Sequence, residues 1–126
     1  MGVRETAMCG AVLLVLAGCQ KAVEAPRTAG VCWRLGDGMN GRKDFKPFAT
    51  GLETLEDCAA QLEGAHLVNG TPMVGGFQGR IIYVTDEEVS VAANSRSTRY
   101  RIFTPEQRAK VDDGFRTLRD RARAAK

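Results

Sequence analysis

Apolar residues run unbroken near the start of the chain and fall into short helical or alternating groups after it. Ala7 to Ala17 is an eleven-residue apolar stretch, ended at once by Gln20, Lys21 and Glu24. Gln20 to Gly30 is polar or small and is broken by Pro26. Val31 to Leu35 has strand composition, and the glycines of Gly36 to Gly41 predict a turn. Asp44 to Phe48 predicts a short extended piece ending around Pro47, with Phe45 and Phe48 as core candidates. Thr54 to Gly64 predicts the first helix. Thr54 is its N-cap, and Glu56 and Asp57 sit in the first turn, where the helix dipole favours acids. Leu55, Cys58, Ala59 and Leu62 recur at i, i+3, i+4 and i+7 and so share the inward face. Gly64 is expected at the helix end.

Further on, Ala65 to Val68 and Thr71 to Val74 flank Asn69-Gly70, a hairpin signal. Gly75-Gly76 punctuates the chain. Phe77 to Thr85 reads as one strand rich in branched and aromatic residues, and Asp86-Glu87-Glu88 as a polar turn. Val89 to Ala93 alternates as a half-buried antiparallel strand should. Asn94 to Ser97 predicts a loop, and Arg99 to Phe103 a strand with Tyr100 and Ile102 on one face. Thr104-Pro105-Glu106-Gln107 is a capping box with proline at the first helical position, opening a helix to about Ala124. Its apolar stripe of Val111, Phe115, Leu118 and Ala122 is expected to dock on the sheet. Gly114 costs that helix about 1 kcal/mol in propensity. The order of elements predicts a small α+β fold, an antiparallel sheet with two helices.

The opening apolar run is too short for a membrane span, which needs roughly 20 residues, and suits a signal peptide, whose apolar region takes about 7–15. Arg4 and the amino terminus supply the positive flank. Residues 1–18 therefore read as a removable signal peptide. The run closes on Leu16-Ala17-Gly18-Cys19, which resembles the lipobox of bacterial lipoproteins. The resemblance covers residues 1–19. It implies diacylglycerol on the Cys19 thiol, cleavage before Cys19, and acylation of the new amino terminus. Several chains are needed because one anchors only marginally, at about 0.8 kcal/mol per buried methylene. Gln20 stands where an Asp would retain an enteric lipoprotein in the inner membrane, so the resemblance implies the outer membrane, facing the periplasm. Residues 19–30 then form a lipidated tether, and 31–126 a single domain similar to many small proteobacterial lipoproteins, a likeness that implies no biochemistry.

Export changes how the cysteines read. Cys9 leaves with the leader and Cys19 carries lipid, so Cys32 and Cys58 remain in an oxidising compartment, where they are expected to pair. A bridge across that loop contributes about 3 kcal/mol by the chain-entropy estimate, useful to so small a domain. A metal site would have only His66 to add, and the C-x-x-C spacing of a redox pair is absent.

Charge is uneven. Cys19 to Ser95 holds seven Lys/Arg against ten Asp/Glu, and Arg96 to Lys126 holds ten against four. One reading is a solvated helix face in which Asp112, Asp113 and Asp120 pair with arginines along the helix. The other is a surface for an anionic partner such as lipid head groups, lipopolysaccharide phosphates or an acidic protein, carried by Arg99, Arg101, Arg116, Arg119, Arg121 and Arg123. The compartment argues against nucleic acid.

Catalytic patterns are missing. G-x-S-x-G, H-E-x-x-H and Walker motifs do not occur. His66 stands alone and reads as structural. Glu53, Glu56, Asp57 and Glu63 read as helix-surface acids, and no carboxylate pair is set in an apolar context. The loop Gly36 to Gly41 fails the calcium pattern. Gly75, Gly76 and Gly79 are too sparse for a phosphate loop and suit a bent strand. Trp33, Tyr83 and Tyr100 read as core, with stacking of one of them on a sugar as the alternative. No metal or cofactor is implied. The expectation is a non-catalytic accessory lipoprotein that binds an envelope complex, peptidoglycan or lipopolysaccharide through its sheet face or basic helix. Two alternatives stand beside it: an inhibitor or sensor of the lysozyme-inhibitor type, against which the basic charge argues, and an unrecognised envelope enzyme.

Overall fold

Cys32 and Cys58 are bonded at the centre of the molecule, both wholly buried, with Cα atoms 5.2 Å apart. The bridge ties strand β1 (Cys32–Asp37) to helix α1 (Leu55–Asn69). The structure, a computed structural model, describes residues 22–38 and 41–125. The leader, the lipobox Leu16-Ala17-Gly18-Cys19, residues 20–21, Met39 and Asn40 of the expected turn, and Lys126 lie outside the described residues.

After β1 come β2 (Lys43–Ala49), α1, β3 (Met73–Phe77), β4 (Arg80–Val84), β5 (Val89–Ala92), β6 (Tyr100–Arg101) and α2 (Pro105–Ala124). The six strands form one antiparallel sheet in the order β2-β1-β3-β4-β5-β6. This is the expected α+β fold, with two helices and one disulfide. Side chains alternate across a strand, so Cys32, Phe77, Ile82, Val84 and Val89 meet Cys58, Ala59 and Leu62 of α1 in one core. Gly75 lies directly beneath α1. A Cβ there would overlap the Trp33 carbonyl and the Leu62 side chain, so bare backbone lets the helix settle on the sheet.

Both caps form as the sequence predicts. Thr54 Oγ1 accepts from the Asp57 N–H at 3.1 Å, and Thr104 with Gln107 completes the capping box of α2. Several element boundaries differ. Asn69-Gly70 is not a hairpin turn, because α1 continues through Ala65–Val68 to Asn69. Only Gly70 has left-handed φ (71°), and its N–H caps the His66 carbonyl at 2.7 Å. A two-residue hairpin of type I′ needs both residues left-handed, and that condition is met instead at Gln78 (φ 46°) and Gly79 (φ 90°). The stretch Phe77 to Thr85 is therefore a hairpin and not one strand, and Gly75-Gly76 is the middle of β3.

Helix α2 packs chiefly against α1 rather than on the sheet, and none of its residues is fully buried. The strand expected over Arg99 to Phe103 shrinks to the two residues of β6 at the sheet edge, which leaves Tyr100 exposed. Phe48, on the opposite edge strand β2, is exposed too, while Trp33 is half-buried on the face away from α1.

The tether expected over residues 19–30 is bound from Val23 onward. The Val23 N–H donates to Ser95 Oγ at 2.7 Å, and the Ser95 N–H returns a bond to the Val23 carbonyl at 2.8 Å. The Gly79 N–H donates to the Pro26 carbonyl at 2.9 Å, and the Gly30 N–H to Gln78 Oε1 at 3.3 Å. Ala25 is buried against Gly76, where a Cβ would overlap it. The segment is a strap across the sheet face opposite α1.

Candidate functional site

Helix α1 carries Glu63 and His66 one turn apart, both buried. Helix α2 carries Arg108 and Asp112 one turn apart and brings them over the same spot. Arg108 binds Glu63 in a two-pronged pair, Nε to Oε2 at 2.6 Å and Nη2 to Oε1 at 2.8 Å. The same guanidinium reaches the β4–β5 turn, donating through Nη2 to the Thr85 carbonyl at 2.6 Å and through Nη1 to the Asp86 carbonyl at 3.1 Å. One side chain thus joins α2, α1 and the sheet. His66 completes the link, with Nδ1 2.7 Å from the Thr71 carbonyl and Nε2 2.9 Å from Asp86 Oδ1. Its two ring nitrogens thus face a backbone carbonyl on one side and a carboxylate on the other.

Electrostatics in this knot follow from crowding. Burial acts to raise the Glu63 pKa, but hydrogen bonds from Arg108 and Asp112 and the Arg108 charge outweigh it and hold that carboxyl below the ordinary glutamate range. Arg108 is held above its usual value by the bond to Glu63. Asp112 moves the other way. Burial, then the hydrogen bond with Glu63 and its negative charge, push Asp112 up to about 6. Its Oδ1 is buried with no donor from another group, so the protonated acid, which supplies its own hydrogen toward Glu63, is the form this position suits. The sequence expectation of no carboxylate pair in a shielded setting is therefore corrected. Glu63 is not a surface acid, and folding brings Asp112 to it across 49 positions of chain.

A cleft of about 370 Å³ opens beside the knot, lined in part by His66, Asp86, Arg101, Phe103, Arg108 and Asp112. Both His66 nitrogens and both Glu63 oxygens face partners within the protein, and through Arg108 the arrangement joins α2 to α1 and to the β4–β5 turn. Among the described residues no group of three or more His, Cys, Asp or Glu is arranged to hold a metal ion. No helix of the described residues is long and apolar enough to cross a membrane.

The six arginines singled out from the sequence do not form one patch. Arg99 lies over the Tyr83 ring, 3.5 Å from its centroid. Arg101 Nε is 3.5 Å from Glu88 Oε1, on the cleft side. Arg121 lies on a different flank of α2 from Arg119 and Arg123. Arg116, Arg119 and Arg123 do come together, along a groove of about 720 Å³ between the end of α1 and the distal half of α2. Leu67, Val68, Phe115 and Leu118 supply the apolar side of that groove.

Gly64 makes the groove possible. It is not the end of α1 but a mid-helix contact, where a Cβ would lie 2.6 Å from Phe115 Cε1 and Cζ. Phe115 therefore rests on bare α1 backbone and fixes where α2 departs from α1. The sequence offered a signal for this corner. Extended past Gly64, the apolar face of α1 takes in His66, four residues beyond Leu62, and Glu63 at its margin. A scan against protein-family models, a search of curated proteins and a search of solved structures each found no match.

Proposed function

We propose that this protein is a lipid-anchored component of the bacterial cell envelope, attached through Cys19 and facing the periplasm from the outer membrane, with a non-catalytic binding role. The observation that carries the reading is the wholly buried Cys32–Cys58 disulfide on which α1 and β1 meet. A fold built on a disulfide belongs in an oxidising compartment, which is where a leader ending in Leu16-Ala17-Gly18-Cys19 would deliver it. The bound strap adds to this. Val23 is already hydrogen-bonded to Ser95, so only four residue steps separate it from Cys19, roughly 14 Å when fully extended. The domain would sit directly on the lipid surface and not at the end of a long leash.

The engaged state of His66 and Glu63 supports binding over catalysis, and the groove along α2 is the surface offered to a partner. The test is expression of the full chain in a bacterial host with radiolabelled palmitate, followed by mass spectrometry of the amino-terminal peptide. Label on Cys19, lost on Cys19→Ser, is the expected result. A full chain left unmodified at Cys19, or recovered in the cytoplasm with Cys32 and Cys58 reduced, would overturn the reading.

A further inference from the structure

We propose that the groove between the end of α1 and the distal half of α2 binds a phospholipid of net negative charge, its acyl chain against Leu67, Val68 and Leu118 and its phosphate on Arg116, Arg119 and Arg123. The inference rests on the envelope reading above for the source of the lipid and names the partner of the same surface.

Two features of the groove point to one kind of molecule. The first is apolar surface that the core does not use. Val68 is 83% exposed and Leu118 is 59% exposed, and both line the groove with Leu67 and the Phe115 ring. Its volume of about 720 Å³ falls within the roughly 300–1,000 Å³ of small-molecule sites. The second is its charged wall. Arg116, Arg119 and Arg123 follow one another at i, i+3 and i+7 on α2, and all three line the groove. Arg123 forms no ion pair among the described residues. Arg116 pairs with Asp113 at 2.9 Å and Arg119 with its neighbour Asp120 at 3.5 Å, and both aspartates are largely exposed. Exposed pairs of this kind contribute little, so the guanidiniums can exchange them for a phosphate, which they bind two-pronged.

A purely apolar partner would leave three arginines facing it, and a free anion would leave Val68 and Leu118 in water. A molecule with an anionic head and an apolar tail satisfies both, with the arginine stems lying along the tail and their heads at the phosphate. An acidic helical partner would also meet the charge. However, the arginines come from α2 alone, whereas the lip formed by Leu67 and Val68 is apolar, so the groove is charged along one side only.

The test uses the oxidised full chain carrying Cys19→Ser, so that attached lipid does not compete. Dihexanoylphosphatidylglycerol, dihexanoylphosphatidylcholine and inorganic phosphate are titrated separately, below micelle formation, and followed by the NMR resonances of Val68, Phe115 and Leu118. Expected is saturable binding of the phosphatidylglycerol that shifts these three residues, with Kd at least tenfold weaker for the zwitterionic lipid and for phosphate. Arg119→Gln and Arg123→Gln should each raise Kd about tenfold, the effect of losing one charge-assisted contact. The double variant should raise it further, and Leu118→Gln should weaken binding about as much as either single change. These side chains are exposed, and an unchanged circular dichroism spectrum checks that the variants fold.

Equal affinity for the two lipids, phosphate binding as tight as lipid binding, or indifference to the substitutions would overturn the proposal. So would a dimer that Leu118→Gln abolishes, or binding of an acidic amphipathic peptide in place of either lipid. Absence of lipid on Cys19 in the labelling experiment would overturn the anchoring alone, since this titration does not depend on it.

Discussion

Glu63 and Arg108 are 45 positions apart in sequence and are joined by two hydrogen bonds of 2.6 and 2.8 Å, with Glu63 wholly buried. The relationship is asymmetric, because the arginine has other partners and the glutamate is charged with no access to water. Breaking a buried pair by removing one member leaves the other uncompensated and costs about 3–5 kcal/mol. Arg108→Leu is therefore expected to lose about that much in urea unfolding, since the Thr85 and Asp86 carbonyls lose their donor as well. Glu63→Gln keeps an acceptor and removes the buried charge, so its loss should be smaller, about 1–2 kcal/mol. Equal losses in the two variants would show that an uncompensated charge is not what decides the effect.

Gly64→Ala tests the contact on which the groove depends. Alanine favours a helix over glycine by about 1 kcal/mol, so an exposed glycine replaced this way would stabilise. Here the new Cβ meets the Phe115 ring at 2.6 Å, and crowding of this kind costs about 1–3 kcal/mol. The expected net result is a lower melting temperature, by a few degrees for each kcal/mol in a domain of this size. In a Phe115→Ala background the ring is gone and the same substitution should turn neutral or stabilising. A Gly64→Ala effect that does not depend on residue 115 would refute the assignment.

The pH dependence of stability has a definite sign in the knot. Asp112 has a folded value raised to about 6 from 3.8, so the folded state binds its proton more tightly than the unfolded chain does. Its contribution is complete below the unfolded value and is lost as pH rises from about 4 to about 6. Glu63, held low, contributes in the opposite sense. Its share is present above 4.5 and is lost as pH falls through its depressed folded value. Asp112→Asn keeps a neutral donor toward Glu63 and removes the titration. It should match the parent near pH 4 and exceed it above pH 6 by about 1–2 kcal/mol, a figure reduced for partial exposure. Groups away from the knot cancel in that difference, whereas Glu63 changes together with Asp112 because the two share a hydrogen bond. Parallel pH curves for the two would remove Asp112 from the account.

What was legible in the chain was local. The caps at Thr54 and Thr104 depend on residues three apart, and both form. The inward turn of Cys58 follows from helical spacing, and with it the bridge to Cys32. The elements went astray where one local pattern serves two structures. Asn-Gly suits a hairpin and also a left-handed helix cap, and the second won because α1 still had His66 to bury against Thr71 and Asp86. Gln78-Gly79 lacks the Asn or Asp that usually marks such a turn. Its left-handed glutamine is held from outside by the strap, through the bonds of Gly30 and Pro26.

The knot was hidden for a different reason. Glu63, Asp86, Arg108 and Asp112 are each ordinary as surface residues, and every neighbouring charge in the sequence supports that reading. Only the crossing of α2 over α1 makes them partners, and the crossing depends on the size of residue 64. Likewise the arginines from Arg99 to Arg123 read as one basic set. Folding divides them, because Arg99 and Arg101 lie at β6, over the Tyr83 ring and at the cleft, whereas Arg116, Arg119 and Arg123 line the groove on α2.

The disulfide gives the last prediction. Its 26-residue separation corresponds to about 3 kcal/mol of chain entropy removed from the unfolded state, and the double variant Cys32→Ala with Cys58→Ala should lose about that amount. Burial adds a kinetic consequence. Both cysteines have no exposed surface, and the bridge lies between Leu62, Phe77 and the inner side of β1. A reductant cannot reach it through local fluctuation of the loops, only after α1 has parted from the sheet. Reduction by a small thiol should therefore be slow in buffer and accelerate with urea in step with global unfolding, and it should be faster in Arg108→Leu by the factor that its stability falls. Rapid reduction in buffer, insensitive to urea below the unfolding midpoint, would mean that α1 opens from the sheet while the rest of the domain stays folded.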